Sequence, residues 1–237
     1  KWATPTDNIV SVDKLIAKAP LSDLYILPEM WATGFNTEPG NDTFSTEPLE
    51  WMKQVSANHK CAICGSLPVK LADGTLRNRL YFMLPDGSYY SYDKRHLFTY
   101  GGENKHYTPG NKRVVAEYKG IRFLLLICYD LRFPVWSRYN DDYDAIIITA
   151  NWPSSRQHVW DTLLKARAIE NQCYVIGANR TGNDPVCHYS GNSMIIDAKG
   201  HIVAQSHNVA EQTITGEIDI NKIREFRSKF PVLEDRD

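Results

Sequence analysis

The chain has 237 residues, of which 43% are hydrophobic and 23% are charged, as in ordinary globular proteins. This length can bury a sizeable core, and we expect a single domain over residues 1–237. The formal net charge of −1 gives no electrostatic reason to expect nucleic acid or an anionic membrane as a partner. No apolar run is long enough for a transmembrane helix, and no apolar stretch follows the first residues as in a signal peptide.

The cysteines favour a reducing compartment, which we expect to be the cytoplasm. Their number is odd, and the chain is too long to depend on a disulfide framework. Cys61 and Cys64 have the spacing of half a zinc ribbon, but no second pair exists and the surrounding run is apolar. We therefore interpret both as buried strand thiols. No His/Cys/Asp cluster has the spacing of metal ligands, so we expect neither a metal nor another cofactor.

Strand-like and helical patterns alternate along the chain and predict an α/β domain with layered sheets. The predicted helices cover 10–19, 49–58 and 158–171. The predicted strands cover 24–27, 62–67, 79–84, 89–92, 121–127, 145–149, 173–177, 191–197 and 201–204. Turns at 85–88 and 197–200 predict hairpins. The runs 121–127 and 145–149 are continuously apolar, as in strands covered on both faces.

Three residues stand where their side chains could carry chemistry. Glu29 follows the strand 24–27, at the sheet edge where α/β proteins bind ligands, although alone it could be a solvated loop carboxylate. Lys94 follows the strand 89–92 and alone would be interpreted as a surface lysine. Cys128 ends the most apolar strand, and the helix start expected at Pro134 would favour its thiolate. A buried structural cysteine is the alternative there.

Together the three residues predict an amide hydrolase. A free thiol has a pKa of about 8.5, so its attack on an amide requires a base and stabilisation of the developing charge. Glu29 could take the thiol proton and pass it to the leaving ammonia. The Lys94 ammonium and the backbone N–H of Tyr129 could stabilise the oxyanion.

At these residues the chain resembles the nitrilase superfamily. The motifs that carry the resemblance are LPEM at 27–30, YDKRHLF at 92–98 and CYDLRFP at 128–134. The resemblance implies an α-β-β-α sandwich of two mostly buried sheets covered by helices, a Glu-Lys-Cys triad and a homodimer. It also implies that Glu103 positions Lys94 and the substrate amide; a turn carboxylate is the alternative for that residue.

Within the superfamily the segments 128–138 and 150–153 look most like those of omega-amidases. These enzymes hydrolyse the terminal amide of 2-oxoglutaramate or 2-oxosuccinamate to the 2-oxo acid and ammonia. For this chain the resemblance implies a small-molecule amide and water as partners, with Arg156 as the candidate for binding the substrate carboxylate. We expect Arg132 to be an ion-pair residue beneath the nucleophile. Three aromatic residues could form the pocket wall: Phe35, Tyr129 and Trp152.

Other functions stay open at this point. N-carbamoyl amino acid hydrolases, aliphatic amidases and true nitrilases share the superfamily motifs and differ at the pocket rim. A papain-like hydrolase is disfavoured because no histidine has a companion asparagine with the local signature. A non-catalytic binding protein would not need all four of Glu29, Lys94, Glu103 and Cys128. The family usually has a short strand before its first helix; we expect that this strand was trimmed here, because its loss would expose apolar surface.

Overall fold

The computed structural model describes residues 1–207 and 210–236, so Asp237, the last residue of the predicted domain, lies outside it. The helices are α1 (Pro5–Lys18), α2 (Glu47–His59), α3 (Pro134–Ser137), α4 (Gln157–Glu170) and α5 (Ile220–Lys229). The strands are β1 (Leu24–Ile26), β2 (Ala62–Lys70), β3 (Leu76–Met83), β4 (Tyr89–Asp93), β5 (Val115–Tyr118), β6 (Ile121–Ile127), β7 (Ala145–Ala150), β8 (Tyr174–Asn179), β9 (Thr181–Asn183), β10 (His188–Ser190), β11 (Met194–Ile196) and β12 (Ile202–Gln205).

Every predicted helix and strand overlaps an observed one. The largest boundary difference is at α1, which begins five residues earlier than predicted because Pro5 occupies the first helical turn, where proline is tolerated. The sequence patterns missed the short strands β5, β9 and β10. They also missed α5, although Asp219 caps it by accepting hydrogen bonds from the backbone N of Asn221 and Lys222.

Two sheets bring the carboxyl ends of several strands to one region. The four-stranded sheet has the order β1-β2-β3-β4, with β1 and β2 parallel and the other neighbours antiparallel. The six-stranded sheet has the order β12-β11-β8-β7-β6-β5, and its central strands β6, β7 and β8 are parallel. Residues that follow β1, β6 and β7 therefore sit at comparable strand ends, where ligands usually bind in such sheets.

The sheets pack face to face, and helices cover their outer faces. Side chains of β2 and β3, such as Cys64 and Phe82, share a core with Phe123, Leu125 and Ile147 of the second sheet. The helices α1 and α2 pack on the outer face of the first sheet, and α4 packs on the outer face of the second. The predicted α-β-β-α sandwich is confirmed, because each sheet buries apolar side chains on both faces.

The strand β1 lies at the edge of the first sheet and pairs with β2 alone among the described strands. A cavity of about 850 Å³ lies beside this edge, and the segment 213–218 forms part of its lining. Its lining includes Glu29 and Asn151 but neither Cys128 nor Lys94. We therefore assign the cavity to the sheet edge rather than to a substrate.

Three sequence interpretations concern features outside the predicted active site. Cys61 and Cys64 are buried free thiols at the start of β2, as interpreted from the apolar run. Over residues 1–207 and 210–236, no group of His, Cys, Asp and Glu side chains is arranged to hold a metal ion. Within the same ranges, no helix combines the length and the apolar character needed to cross a bilayer.

Candidate active site

Cys128 lies on a sharp turn at the end of β6. Its φ of +45° is in the left-handed region, which residues other than glycine rarely adopt, and the chain continues as a 3-10 helix over Cys128–Arg132. The residue as a whole is partly exposed, and its Sγ lies 3.8 Å from the backbone oxygen of Asn151. The strained backbone of the turn therefore places the sulfur beside the residue that follows β7.

The environment of Cys128 does not favour a resting thiolate, so the sequence expectation was wrong on this point. Burial raises the pKa of the Cys128 thiol well above its usual value, the charge of Glu29 raises it further, and Lys94 opposes them. The helix expected from Pro134 onward is only the single turn α3, so its dipole is small. A base must therefore remove the thiol proton during the reaction.

Lys94 is buried between two carboxylates. Its Nζ lies 2.7 Å from Oε1 of Glu29 and 2.9 Å from Oε2 of Glu103, and the three side chains are at most 1% exposed. Burial disfavours the ammonium form, but Glu103 and Glu29 outweigh it and raise the pKa of Lys94. Lys94 is therefore a cation at neutral pH, and it cannot act as the base.

The two carboxylates are held from different parts of the chain. Oε2 of Glu29 accepts a hydrogen bond from the backbone N of Asn151 at 3.0 Å, which joins the end of β1 to the end of β7. Oε2 of Glu103 accepts one from the backbone N of Phe98 at 2.6 Å. Burial raises the pKa of Glu103, Lys94 lowers it and Glu29 raises it. Glu103 is thus part of the charged cluster rather than a solvated turn residue.

Asp130 connects the cysteine turn to the segment that carries Lys94, a role that the sequence did not reveal. This fully buried carboxylate accepts hydrogen bonds from Tyr92 Oη at 2.8 Å, from the backbone N of Ile127 at 3.0 Å, and from the backbone N of His96 at 2.9 Å. Nδ1 of His96 lies 2.8 Å from the same carboxylate. Burial and Asp130 raise the pKa of Tyr92, so the phenol stays a donor. The signal that could have indicated this role is the pair of polar side chains, Tyr92 and His96, two residues on either side of Lys94.

Aromatic side chains surround the charged cluster. The ring of Phe35 lies 5.2 Å from Lys94 Nζ, and Phe98 contacts both Phe35 and Tyr129, with ring centroids 6.4 and 5.1 Å apart. Trp152 is only 3% exposed and its ring packs 5.5 Å from that of Trp160. Phe35 and Tyr129 therefore lie in the predicted region, whereas Trp152 belongs mainly to the core beneath it.

Two arginines lie on the aromatic residues of this region. The guanidinium of Arg156 is 5.3 Å from the Phe98 ring centroid. That of Arg132 lies 5.1 Å from the Trp152 ring and 5.9 Å from the Tyr129 ring, and it has no ion pair within the described part of the chain. The expected ion-pair role of Arg132 was therefore wrong. Planar guanidinium groups stack on aromatic rings and still offer their edges to a carboxylate.

Gly110 lies against the residues that carry Lys94, and we expect Gly110→Ala to disturb the site. The backbone N of Gly110 donates to the oxygen of Lys94 at 2.8 Å, and an added Cβ would overlap the backbone oxygen of Asp93. The substitution should lower the free energy of unfolding by at least about 2 kcal/mol, because backbone cannot yield as a flexible side chain does. Urea denaturation measures this change. At Gly40 an added Cβ meets nothing within 4 Å, so Gly40→Ala should leave stability unchanged.

Comparison with known proteins agrees with the fold and the motifs. The family model for carbon-nitrogen hydrolases matches residues 1–228. The chain is 42% identical to omega-amidase YafV of Yersinia enterocolitica and 34% identical to 2-oxoglutaramate amidase of Bacillus subtilis. These alignments cover 100% and 99% of the chain, respectively, and 93% of each relative.

Solved structures show the same architecture. A CN-hydrolase superfamily protein of Xanthomonas campestris superposes with a TM-score of 0.93 at 36% identity, covering 100% of this chain and 93% of that one. Nit3 of Saccharomyces cerevisiae, a member of the nitrilase superfamily, superposes with a TM-score of 0.85 at 22% identity over 98% of this chain and 92% of that one, which supports the fold alone. The predicted resemblance is confirmed, and the chain belongs to the carbon-nitrogen hydrolase family.

Proposed function

We propose that this hydrolase cleaves the terminal amide of a small 2-oxo acid, such as 2-oxoglutaramate or 2-oxosuccinamate, and releases ammonia. The observation that carries the proposal is the buried contact of Lys94 with Glu29 and Glu103 beside the Cys128 thiol. The substrate class follows from the names of the relatives, which are an omega-amidase and a 2-oxoglutaramate amidase.

In the acylation step, Cys128 attacks the amide carbon while Glu29 takes the thiol proton. A bond forms between Sγ and the carbonyl carbon, and the carbonyl electron pair moves to oxygen. The Lys94 ammonium and the backbone N–H of Tyr129 stabilise this oxyanion. When the intermediate collapses, the C–N bond breaks, Glu29 returns its proton to nitrogen, and ammonia leaves a thioester behind.

In the deacylation step, Glu29 removes a proton from water, which attacks the thioester carbonyl. The same oxyanion donors act again, and the C–S bond then breaks. The carboxylic acid leaves and the thiol regains a proton. Glu103 acts throughout by holding the ammonium of Lys94 beside Glu29, since its Oε1 and Oε2 lie 3.2 and 2.9 Å from Nζ.

The carboxylate of a 2-oxo acid requires a cation at the rim of the pocket. We assign this role to Arg156, with Arg132 as its neighbour, because both guanidinium groups lie on the aromatic residues around Cys128. The segment that carries Arg156 starts at the nucleophile, because the backbone oxygen of Asn151 lies 3.8 Å from Sγ and Trp152 Nε1 donates to the backbone oxygen of Arg156 at 2.9 Å. Arginine suits a planar carboxylate because it can donate two parallel hydrogen bonds.

We expect Arg156→Ala to weaken recognition of the substrate carboxylate. For 2-oxoglutaramate, kcat/KM should fall roughly 10- to 100-fold, mainly through KM, because a hydrogen bond to a charged group is lost. For butyramide, which has no carboxylate, the ratio should be unchanged. The control is Arg224→Ala, which removes an exposed arginine of α5. Equal losses on both amides would refute the assignment of Arg156.

A substrate panel tests the proposed function. We expect the purified protein to release ammonia from both 2-oxo amides faster than from an aliphatic amide, an N-carbamoyl amino acid or a nitrile. Preference for the carbamoyl acid would replace the substrate class but leave the thiol chemistry in place. Absence of turnover on the whole panel would favour a non-catalytic binding protein of this fold.

We further propose that the protein is a cytoplasmic homodimer. The cytoplasmic location is supported by its five free cysteines, which suit a reducing compartment. The dimer is supported by the family resemblance. Light scattering after size exclusion should give twice the chain mass of 27.1 kDa, whereas a monomer would contradict the proposal.

A further inference from the structure

Asn78 of β3 contacts all three charged residues of the active-site cluster. Its Nδ2 donates to Oε1 of Glu29 at 2.8 Å and to Oε1 of Glu103 at 3.0 Å. Its backbone oxygen accepts a hydrogen bond from the backbone N of Lys94 at 3.0 Å. The residue is 1% exposed, so the amide lies inside the protein together with the charges.

The orientation of this amide is fixed by charge. Both Nδ2 hydrogens are directed at carboxylates, whereas Oδ1 of Asn78 has no hydrogen-bond partner within the described residues. Rotating the amide by half a turn would direct an acceptor at two other acceptors, which is repulsive. A buried acceptor without a partner costs free energy. The two hydrogen bonds made by Nδ2 offset this cost and explain why asparagine is tolerated at this buried position.

The cluster contains more negative than positive charge. Two carboxylates, Glu29 and Glu103, share the single ammonium of Lys94. The other titratable groups that act on them are the thiol of Cys128 and the buried phenol of Tyr107. Burial and Glu29 raise the pKa of Glu103, whereas Lys94 and, to a smaller extent, the hydrogen bond from Asn78 lower it. The neutral amide of Asn78 thus donates to both carboxylates without adding a charge to the cluster.

We propose that Asn78 is a positioning residue that holds Glu29 and Glu103 directed at Lys94, so that Glu29 is aligned to accept the thiol proton. The inference rests on the proposed function, because it takes Glu29 as the base. The alternation of inward and outward side chains along β3 places Asn78 on the face that points to the charged cluster. Asn78 points into the protein like Leu80, whereas Arg79, between them, pairs with Asp93.

The test compares pH profiles of Asn78→Ala, Asn78→Ser and the unmodified protein. For Asn78→Ala, kcat on 2-oxoglutaramate should fall roughly 10- to 100-fold with little change in KM, because two hydrogen bonds to charged groups are lost. The acid limb of the kcat/KM profile should move upward by about one pH unit, since Glu103 loses a hydrogen bond that lowers its pKa. Asn78→Ser retains one hydroxyl donor and should give an intermediate shift.

A matched control separates this role from general stability. Asn171 is also buried, and its side-chain amide accepts from the backbone N of Tyr139 and donates to the backbone oxygen of Arg167, both at 2.9 Å. Asn171→Ala should lower the Tm but leave the position of the acid limb unchanged. If Asn78→Ala lowers only the Tm, or if Asn171→Ala shifts the limb equally, a structural role suffices and the proposal fails.

A second readout does not depend on the substrate. The rate of Cys128 alkylation by iodoacetamide is measured against pH in a Cys187→Ser background, because Cys187 is the other partly exposed thiol. The acid limb of this rate profile should show the same upward shift in the Asn78 variants. Each rate is divided by the fraction of protein that is folded at that pH. A shift without turnover of any 2-oxo amide would sink the proposed function but uphold the role of Asn78. An unchanged limb would overturn that role.

Discussion

Cys128→Ala is expected to abolish amide hydrolysis while leaving the fold intact. Without the thiol no thioester can form, so the rate should fall by roughly 10⁴-fold or more. Stability should change little, because the hydrogen bond from Sγ to the backbone oxygen of Asn151 is a long contact of 3.8 Å. Ammonia release measures the activity, and the Tm measures the stability.

The matched control for this experiment is Cys187→Ser. Cys187 is also free and partly exposed, but its backbone N donates to Asp184 in the β9–β10 hairpin, away from the cluster. Its substitution should leave the rate unchanged. Iodoacetamide should inactivate the unmodified protein and the Cys187 variant alike, and a 2-oxo amide should protect both. Residual hydrolysis in purified Cys128→Ala close to the original rate would contradict the assignment of the nucleophile.

Lys94→Met is expected to impair both catalysis and stability. The loss of an oxyanion donor should lower kcat roughly 10²- to 10³-fold. The change also leaves Glu29 and Glu103, both at most 1% exposed, without their counter-ion, which should cost about 3–5 kcal/mol of unfolding free energy. Lys105→Met, which removes an exposed lysine nearby, is the control for both measurements and should behave like the unmodified protein.

The stability of Lys94→Met should depend on pH in a defined direction. Burial and Glu29 already raise the pKa of Glu103, and Lys94 opposes them. Without Lys94 the folded protein binds a proton more tightly than the unfolded chain does, so stability should rise as the pH falls through the raised pKa. The double variant Lys94→Met/Glu103→Gln should regain stability at pH 8 but not activity. A Tm of Lys94→Met that does not change between pH 8 and pH 5 would contradict this account.

The chain by itself determined the layers and the main elements. The largely apolar runs 121–127 and 145–149 favour strands covered on both faces, and the structure has β6 and β7 there, in the second sheet. The motifs around Glu29, Lys94 and Cys128 indicated both the family and the thiol chemistry, because they combine the three reactive groups. A thiol, a carboxylate and an ammonium at strand ends have few other uses. The short strands β9 and β10 were missed because three residues carry no periodic signal.

Only the tertiary structure decided how charges and hydrogen bonds are shared at the site. Asn78, Asp130 and Asn151 are ordinary polar residues in the sequence. Their contacts with Glu29, Lys94 and the cysteine turn depend on strands far apart in the chain. The same holds for the raised pKa of Cys128 and for Arg132, which lies on aromatic rings instead of forming an ion pair. Burial and the nearest charges set these properties, and both are fixed only when the sheets pack together.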